Sequence, residues 1–198
     1  AATQIVYVED GTFSAVQVLD TGWSAKDGYV HLGMRLSNPN EDAAAFGTVV
    51  RVVLFDEAGD VMSTTDETIA VIGPGEVIGW SDMVGDGWVP ARVEASVVVG
   101  STRWQAADEY EQAFTVENAE EQDKLYYRYE VTGTVTNHTV AYVSTIRLSV
   151  LMCDEDGAIV SGYAGNAYRV KSGQSKSYLL TMNAAPEHAR VEVYAQPS

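Results

Sequence analysis

Acidic side chains cluster at two places where oxygen atoms could bind a metal ion. The first cluster is Asp56 with Glu57, and the second is Asp154 with Glu155 and Asp156. Ca²⁺ takes about six to eight oxygen ligands, so acidic loops of this kind could hold it. An Asp at the first position of a turn also accepts hydrogen bonds from nearby backbone N–H groups. The sequence therefore predicts turn-forming aspartates, with a calcium site as the alternative.

Exposed aromatic side chains are a second kind of candidate site. Trp23 and Trp88 are flanked by Gly and Asp residues, which predicts loops from which an indole ring could stack on a sugar. Tyr126 and Arg128 are two positions apart in a predicted strand and therefore lie on the same face of it. Both residue types are enriched at protein interfaces. Core packing for the tryptophans and an ordinary polar strand face for Tyr126 and Arg128 are the alternatives.

The histidines and the cysteine do not form a pattern typical of catalysis. His31, His138 and His188 are too far apart in sequence for a local metal-ligand pair, so we expect surface histidines without a role. Cys153 corresponds to Phe55 in an internal repeat, which predicts a packed, structural thiol. The motifs of serine hydrolases, phosphate-binding loops and zinc proteases are absent. We expect a protein that is not an enzyme and has no cofactor; an unrecognised hydrolase, or an accessory subunit of one, is the alternative.

The charge balance excludes several classes of partner. Twelve basic and 28 acidic residues give a net charge of −16, whereas nucleic-acid binding needs clustered Lys and Arg. Residues 1–100 carry 15 acids and 4 bases, a net −11, and the remainder carries 13 acids and 8 bases, a net −5. No apolar run approaches the length of about 18 residues that a membrane helix needs, so we expect no membrane insertion of this segment.

The sequence repeats itself with an offset of 98 residues. Residues 52–61 resemble residues 150–159, and the same offset aligns Gly75 with Gly173 and Trp80 with Tyr178. A period this long corresponds to a whole domain rather than to a solenoid unit. We predict two tandem domains, residues 1–106 and residues 107–198, called copy one and copy two below.

Each copy has the alternation of a β-sandwich. Apolar residues recur at every second position, with turn signals between the runs, which is typical of strands that bury one face. Residues 48–55 and 146–153 are apolar on both faces, which indicates a central strand or one covered by another surface. The predicted fold is all-β, with two tandem antiparallel β-sandwiches. The inward positions of the first alternating strand are Val30, Leu32, Met34 and Leu36 in copy one, and Tyr129, Val131, Gly133 and Val135 in copy two.

Short motifs in both copies resemble the FxLYD family of bacterial domains. Copy one has Leu36-Ser-Asn38, then Val52-x-Leu54-Phe55-Asp56-x-x-Gly59, then Gly73-Pro-Gly75. Copy two has Gly133-x-Val135-x-Asn137, then Val150-x-Met152-Cys153-Asp154-x-x-Gly157, then Ser172-Gly173. Val and Cys stand where the family prefers aromatic residues. The resemblance covers about residues 28–95 and 126–194.

The resemblance implies a fold and a location rather than an activity. The FxLYD family is similar to immunoglobulin-like β-sandwiches of secreted proteins and surface lipoproteins, and it brings no catalytic residues with it. We expect a bacterial extracellular or cell-surface protein whose signal or lipid anchor has been removed. Its function would be non-catalytic, as a binding or spacer module with a protein or a cell-wall glycan as partner. A carbohydrate- or calcium-dependent adhesion module is the alternative.

Overall fold

Strands account for almost all regular structure in this chain. The computed structural model describes residues 13–26, 28–85, 87–124, 128–182 and 185–198, apart from the side chains of residues 123, 124 and 128. No described helix is long and apolar enough to cross a membrane. Within these described residues the one helical segment is a single 3-10 turn, Ala107–Glu109.

Thirteen strands follow one another along the described chain. In copy one they are β1 (Gln17–Lys26), β2 (Tyr29–Ser37), β3 (Ala43–Phe55), β4 (Val61–Ile72), β5 (Val77–Val84), β6 (Arg92–Val97) and β7 (Arg103–Ala106). In copy two they are β8 (Phe114–Lys124), β9 (Arg128–Asn137), β10 (Val143–Cys153), β11 (Ile159–Val170), β12 (Ser175–Met182) and β13 (Arg190–Pro197).

The sheets of the two copies have the same strand order. Copy one forms the sheets β1-β2-β5 and β4-β3-β6, and copy two forms β8-β9-β12 and β11-β10-β13. The described strand pairings are antiparallel in the sheets β4-β3-β6, β8-β9-β12 and β11-β10-β13. Strand β7 is additional and pairs with the first residues of β3. The predicted all-β fold of two tandem β-sandwiches is thereby confirmed.

Equivalent hydrogen bonds are formed inside each of the two copies. The buried Asn38 amide donates to the carbonyls of Ala43 at 2.7 Å and Ile72 at 3.3 Å. The buried Asn137 amide donates to Ala141 at 2.9 Å and Val170 at 3.1 Å. In each copy this side chain ties the end of the second strand to the loop after it and to the turn before the fifth. The repeat seen in the sequence is therefore also a repeat of the hydrogen-bond framework.

Contacts group the chain into two compact units that are each assembled from separate segments. Unit 1 comprises Ala1–Leu19, Arg35–Ile78 and Pro90–Glu111. It contains β3, β4, β6 and β7, and the alternate residues of β3 that face inward, Thr48, Val50, Val52 and Leu54, are buried. The outward face of the same sheet carries exposed ion pairs, Arg51 with Asp66 and Arg92 with Glu94. This face is therefore solvated.

Unit 2 comprises Asp20–Met34, Gly79–Val89 and Gln112–Ser198. Its main core lies between the two sheets of copy two, because the buried side chains of β9, β10 and β12 form one continuous cluster. The largest fully buried members of this cluster are Ile146, Leu148, Met152 and Met182.

The opposite face of β10 is buried as well. Leu151 and Cys153 are fully buried and form a second cluster with Ile159 and Tyr194. Residues of β1, β2 and β5 that belong to unit 2 cover this cluster through glycines. A Cβ atom at Gly33 would lie 2.9 Å from side-chain atoms of Leu151 and Ile159. The two-sided apolar pattern of β10 thus arises because a second surface covers it, as the sequence indicated.

Candidate functional site

The acidic clusters lie at the tips of matching hairpins. Asp56 Oδ1 accepts a hydrogen bond from the Asp60 N–H at 2.9 Å, and Asp154 Oδ1 accepts one from Ala158 at the same distance. Gly59 has a φ of 87° and Gly157 a φ of 88°, the left-handed conformation that favours glycine. The turn-forming role predicted for the first Asp of each cluster is confirmed.

The remaining carboxylates of these tips point to solvent. Glu57, Glu155 and Asp156 are exposed. Among the described residues, no group of three or more His, Cys, Asp or Glu side chains is placed to hold a metal ion. One oxygen of Asp56 and one of Asp154 are already used by the turn. The calcium alternative stays a prediction.

The four tryptophans differ greatly in exposure. Trp88 is 70% exposed and lies in the loop after β5, as predicted. Trp23 lies within β1 and is half-buried, so its predicted loop position was wrong. The period-2 pattern of β1 is interrupted by Gly22, which hid the strand in the sequence. Trp80 and Trp104 are buried.

The predicted interface pair falls at the edge of what the structure describes. Tyr126 lies outside the described residues. Arg128 begins β9, but its side chain lies outside the described part as well. Their shared role at an interface stays a prediction.

His188 takes part in a side-chain cluster that the sequence did not predict. Its side chain is only 5% exposed, so the expectation of a surface histidine was wrong. The Nε2 atom lies 2.9 Å from both carboxylate oxygens of Glu121, and the Nδ1 atom lies 2.7 Å from the carbonyl oxygen of Pro186. The Tyr129 ring lies beside it, with centroids 5.9 Å apart. No local motif could reveal this cluster, because Glu121 and His188 are 67 residues apart.

The geometry of the His188 cluster favours a structural role, in which it joins two segments of the chain, over catalysis. A cavity of about 330 Å³ lies beside it, lined also by Glu187. A histidine that acts as a base needs one nitrogen facing the substrate. Here one nitrogen faces a carboxylate and the other a backbone carbonyl, and both contacts are hydrogen bonds when the ring carries both protons. The cluster therefore joins the loop before β13 to strand β8.

A second ionic cluster connects β5 with β10 inside unit 2. One guanidinium nitrogen of Arg147 donates to the Ser81 carbonyl at 2.5 Å and to the Asp82 carboxylate at 2.8 Å. The guanidinium also lies 4.0 Å from the ring centroid of Trp80, a cation–π arrangement. Cys153 is fully buried, in agreement with the predicted structural thiol. These groups hold strands of unit 2 in position.

The sequence matches no protein-family model, and no curated protein matches it either. The likeness to FxLYD domains accordingly rests on the short motifs and on the turns that they form.

Proposed function

We propose that this chain is a non-catalytic, tandem FxLYD-like module of a bacterial extracytoplasmic protein, which acts as a binding or spacer segment. The observation that carries the proposal is the repeated framework of hydrogen bonds. Asn38 and Asn137, like Asp56 and Asp154, make equivalent bonds in the two copies. The residues that give the sequence its family likeness are therefore the residues that close its turns.

This division of roles supports a presenting or spacing function. The oxygen and amide groups most suited to chemistry are engaged with backbone groups of the same copy, where each contributes about 1 kcal/mol to stability. The resemblance to domains of surface lipoproteins supports the extracytoplasmic setting.

Carbohydrate binding through Trp88 is a second candidate. The residue is 70% exposed, and the Gly87 N–H donates to the Gly28 carbonyl at 3.0 Å, which fastens the loop to the turn before β2. Tyr29 follows that turn and is 45% exposed. An aromatic face held by backbone hydrogen bonds loses little entropy when a sugar ring stacks on it. Copy two has Pro186 at the position equivalent to Trp88.

The location can be tested with the natural full-length protein in the bacterium that makes it. Protease added to intact cells should degrade this segment, as detected by an antibody raised against it. A cytoplasmic protein serves as the control and should survive until the cells are lysed. A segment that is protected in intact cells and degraded only after lysis contradicts the proposed location.

The carbohydrate candidate can be tested on an array of bacterial and host glycans. Binding by the native chain should be lost in Trp88→Ala and retained in Tyr168→Ala, which removes a comparably exposed aromatic ring, 56% exposed, from copy two. A native chain that binds nothing on the array, or two variants that bind equally well, eliminates this candidate and leaves the spacer proposal standing.

A further inference from the structure

The two copies of the fold differ in charge at the same end of the sandwich. This end consists of the loop after the second strand and the turn before the fifth strand. These segments are residues 38–42 and 73–76 in copy one, and residues 138–142 and 171–174 in copy two. The first loop contains adjacent acidic residues, whereas the corresponding loop of copy two contains none and the turn beside it contains a lysine.

Four exposed carboxylates of unit 1 gather at the end of copy one. Two of them lie in the loop before β3, and two lie in the 3-10 turn that follows β7. The Ala107 N–H donates to the Asp42 carbonyl at 2.9 Å, which holds this turn against the loop. Residues 36–50 and 104–123 contain no Lys or Arg, so these segments offer no cation to neutralise the carboxylates. We call this group the acidic end: Glu41, Asp42, Asp108 and Glu109.

The end of copy two carries positive charge instead. Three of the 12 Lys and Arg residues of the chain are Arg169, Lys171 and Lys176. The Lys176 Nζ donates to the Tyr168 carbonyl at 2.6 Å, which places this third cation beside the last residues of β11. Residues 131–186 contain only three acids, and all three lie in the turn between β10 and β11, at the opposite end of these strands.

Exposed apolar side chains accompany the cations. Val140 is 96% exposed, and more than half of Tyr142 and of Tyr168 is exposed as well. The Ser172 hydroxyl donates to the Thr139 carbonyl at 2.7 Å, which joins the loop before β10 to the turn before β12. Exposed apolar groups next to Tyr and Arg are typical of surfaces that bind another protein.

The backbone at the end of β11 exposes two consecutive side chains. Arg169 has a φ of 58°, a left-handed conformation that few residues other than glycine adopt. Neighbouring side chains of a regular strand point to opposite faces, but here both Tyr168 and Arg169 are exposed. We call the whole surface the basic end: Val140, Tyr142, Tyr168, Arg169, Lys171 and Lys176.

We propose that the basic end of one molecule binds the acidic end of a second molecule of the same chain. Charge complementarity selects this occupant, because the basic end needs an exposed acidic partner and the equivalent end of copy one is one. The charges fix the orientation, and the tyrosines and Val140 supply apolar area. The two ends are different surfaces, so each added molecule offers a new one and the contact builds linear assemblies or rings. The proposal does not rest on the location or on the Trp88 surface proposed above.

Sedimentation velocity of the native chain is the first test. It is run in about 150 mM NaCl, where a Debye length of about 8 Å screens the repulsion between whole molecules more than it screens direct ion pairs. The sedimentation coefficient should rise with concentration between about 10 µM and about 1 mM, the range expected for a small, polar interface. It should not level off at the value of a dimer unless a closed ring forms.

Charge reversal at each end then tests the pairing. Arg169→Glu with Lys171→Glu, and Glu41→Lys with Asp42→Lys, should each weaken self-association about tenfold or more, because like charges then face one another. A mixture of the two double variants should associate again, since one variant keeps the native acidic end and the other keeps the native basic end. Tyr142→Ala should weaken self-association about tenfold without changing any charge.

A matched control changes the net charge by the same amount elsewhere. Arg92→Glu with Arg190→Glu alters the opposite end of the two sheets, opposite Phe55 and Cys153, and breaks only exposed ion pairs. This variant should associate like the native chain.

The proposal is overturned if the native chain stays monomeric throughout, if either charge-reversed variant associates like the native chain, or if their mixture stays monomeric. A monomeric native chain that binds polyphosphate through Arg169 and Lys171 would replace it with an external polyanion as the partner. Should a charge-reversed variant fail to fold, the native chain and Tyr142→Ala still decide the matter: loss of the concentration dependence in Tyr142→Ala supports the contact, and an unchanged dependence contradicts it.

Discussion

Glu76 and Gln174 are equivalent residues that differ by one ionisable group. The Glu76 Oε2 accepts the Gly73 N–H at 2.6 Å, and the Gln174 Oε1 accepts the Lys171 N–H at 3.0 Å. Burial raises the pKa of Glu76, and the hydrogen bond from Gly73 only partly opposes this effect. Burial, together with the Glu76 charge, raises the pKa of the adjacent Tyr110 to about 12. Copy two closes the same turn without a buried charge.

Glu76→Gln should therefore stabilise the protein at neutral pH. A carboxyl with a raised folded-state pKa loses stability as the pH rises from its unfolded pKa to its folded one, and the amide removes this loss. Thermal melts should show a higher Tm for the variant near pH 7 and little difference near pH 4. Gln174→Glu places a charge at the exposed equivalent position and should change neither value. An equal gain for Glu76→Gln at both pH values would contradict the argument.

The contact between His188 and Glu121 should contribute measurably to stability. Glu121→Gln replaces the carboxylate whose two oxygens both lie 2.9 Å from the Nε2 of the buried ring, which should lower the free energy of unfolding by about 1–2 kcal/mol. Glu120→Gln changes an exposed neighbour on β8 and should stay within about 0.5 kcal/mol of the native chain. Urea titration measures both. Equal effects of the two substitutions would show that the contact has no special weight.

At the scale of elements, glycines decide which sheet face can be covered. A Cβ atom at Gly162 would collide with the Leu32 carbonyl, so the covered face of copy two needs glycine there. The equivalent residue in copy one is Thr64, which is exposed. The two copies share their strand order but differ in the outer face of this sheet. In copy two the outer face of β10 is buried inside unit 2, whereas in copy one the outer face of β3 carries ion pairs.

Gly162→Thr should loosen the covering of β10 in unit 2. The threonine side chain cannot fit beside Leu32, so strands β2 and β11 must separate. The buried Cys153 then becomes accessible to solvent. Ellman's reagent should react with Cys153 much faster in the variant than in the native chain, and the Tm should fall. Thr64→Val, at the equivalent exposed position, should leave the rate of thiol labelling unchanged. A Cys153 that stays unreactive in Gly162→Thr rules out this explanation of the glycine.

The strands and turns were predictable because their signals are local. The alternation in β2, the two-sided apolar run of β10 and the Asp-x-x-Gly turns all lie within about a dozen residues of sequence. The His188 cluster was not predictable, since Glu121 and His188 meet only after two sheets pack. The loop predicted at Trp23 was wrong for a related reason: Gly22 looked like a turn residue, but it allows β1 to approach Ile159 closely.

At the scale of the whole molecule, the excess of acidic residues is the dominant electrostatic feature. The net charge of −16 falls mainly in the first 100 residues, which carry −11. Because the surplus in the first 100 residues is about twice that of the remainder, which carries −5, the common fold does not determine its size. Like charges on a compact body repel one another more than on an extended chain, so the surplus favours solubility at a cost in stability.

This repulsion should appear as a strong dependence of stability on salt. Raising NaCl from about 20 mM to about 500 mM shortens the Debye length several-fold, so the Tm near pH 7 should rise. The same change should have little effect near the isoelectric point of about 4.3, where the net charge is close to zero. Differential scanning calorimetry at the four combinations of salt and pH measures both effects. A Tm that falls with salt near pH 7 would mean that the exposed ion pairs, such as Arg51 with Asp66, outweigh the repulsion among the 28 carboxylates.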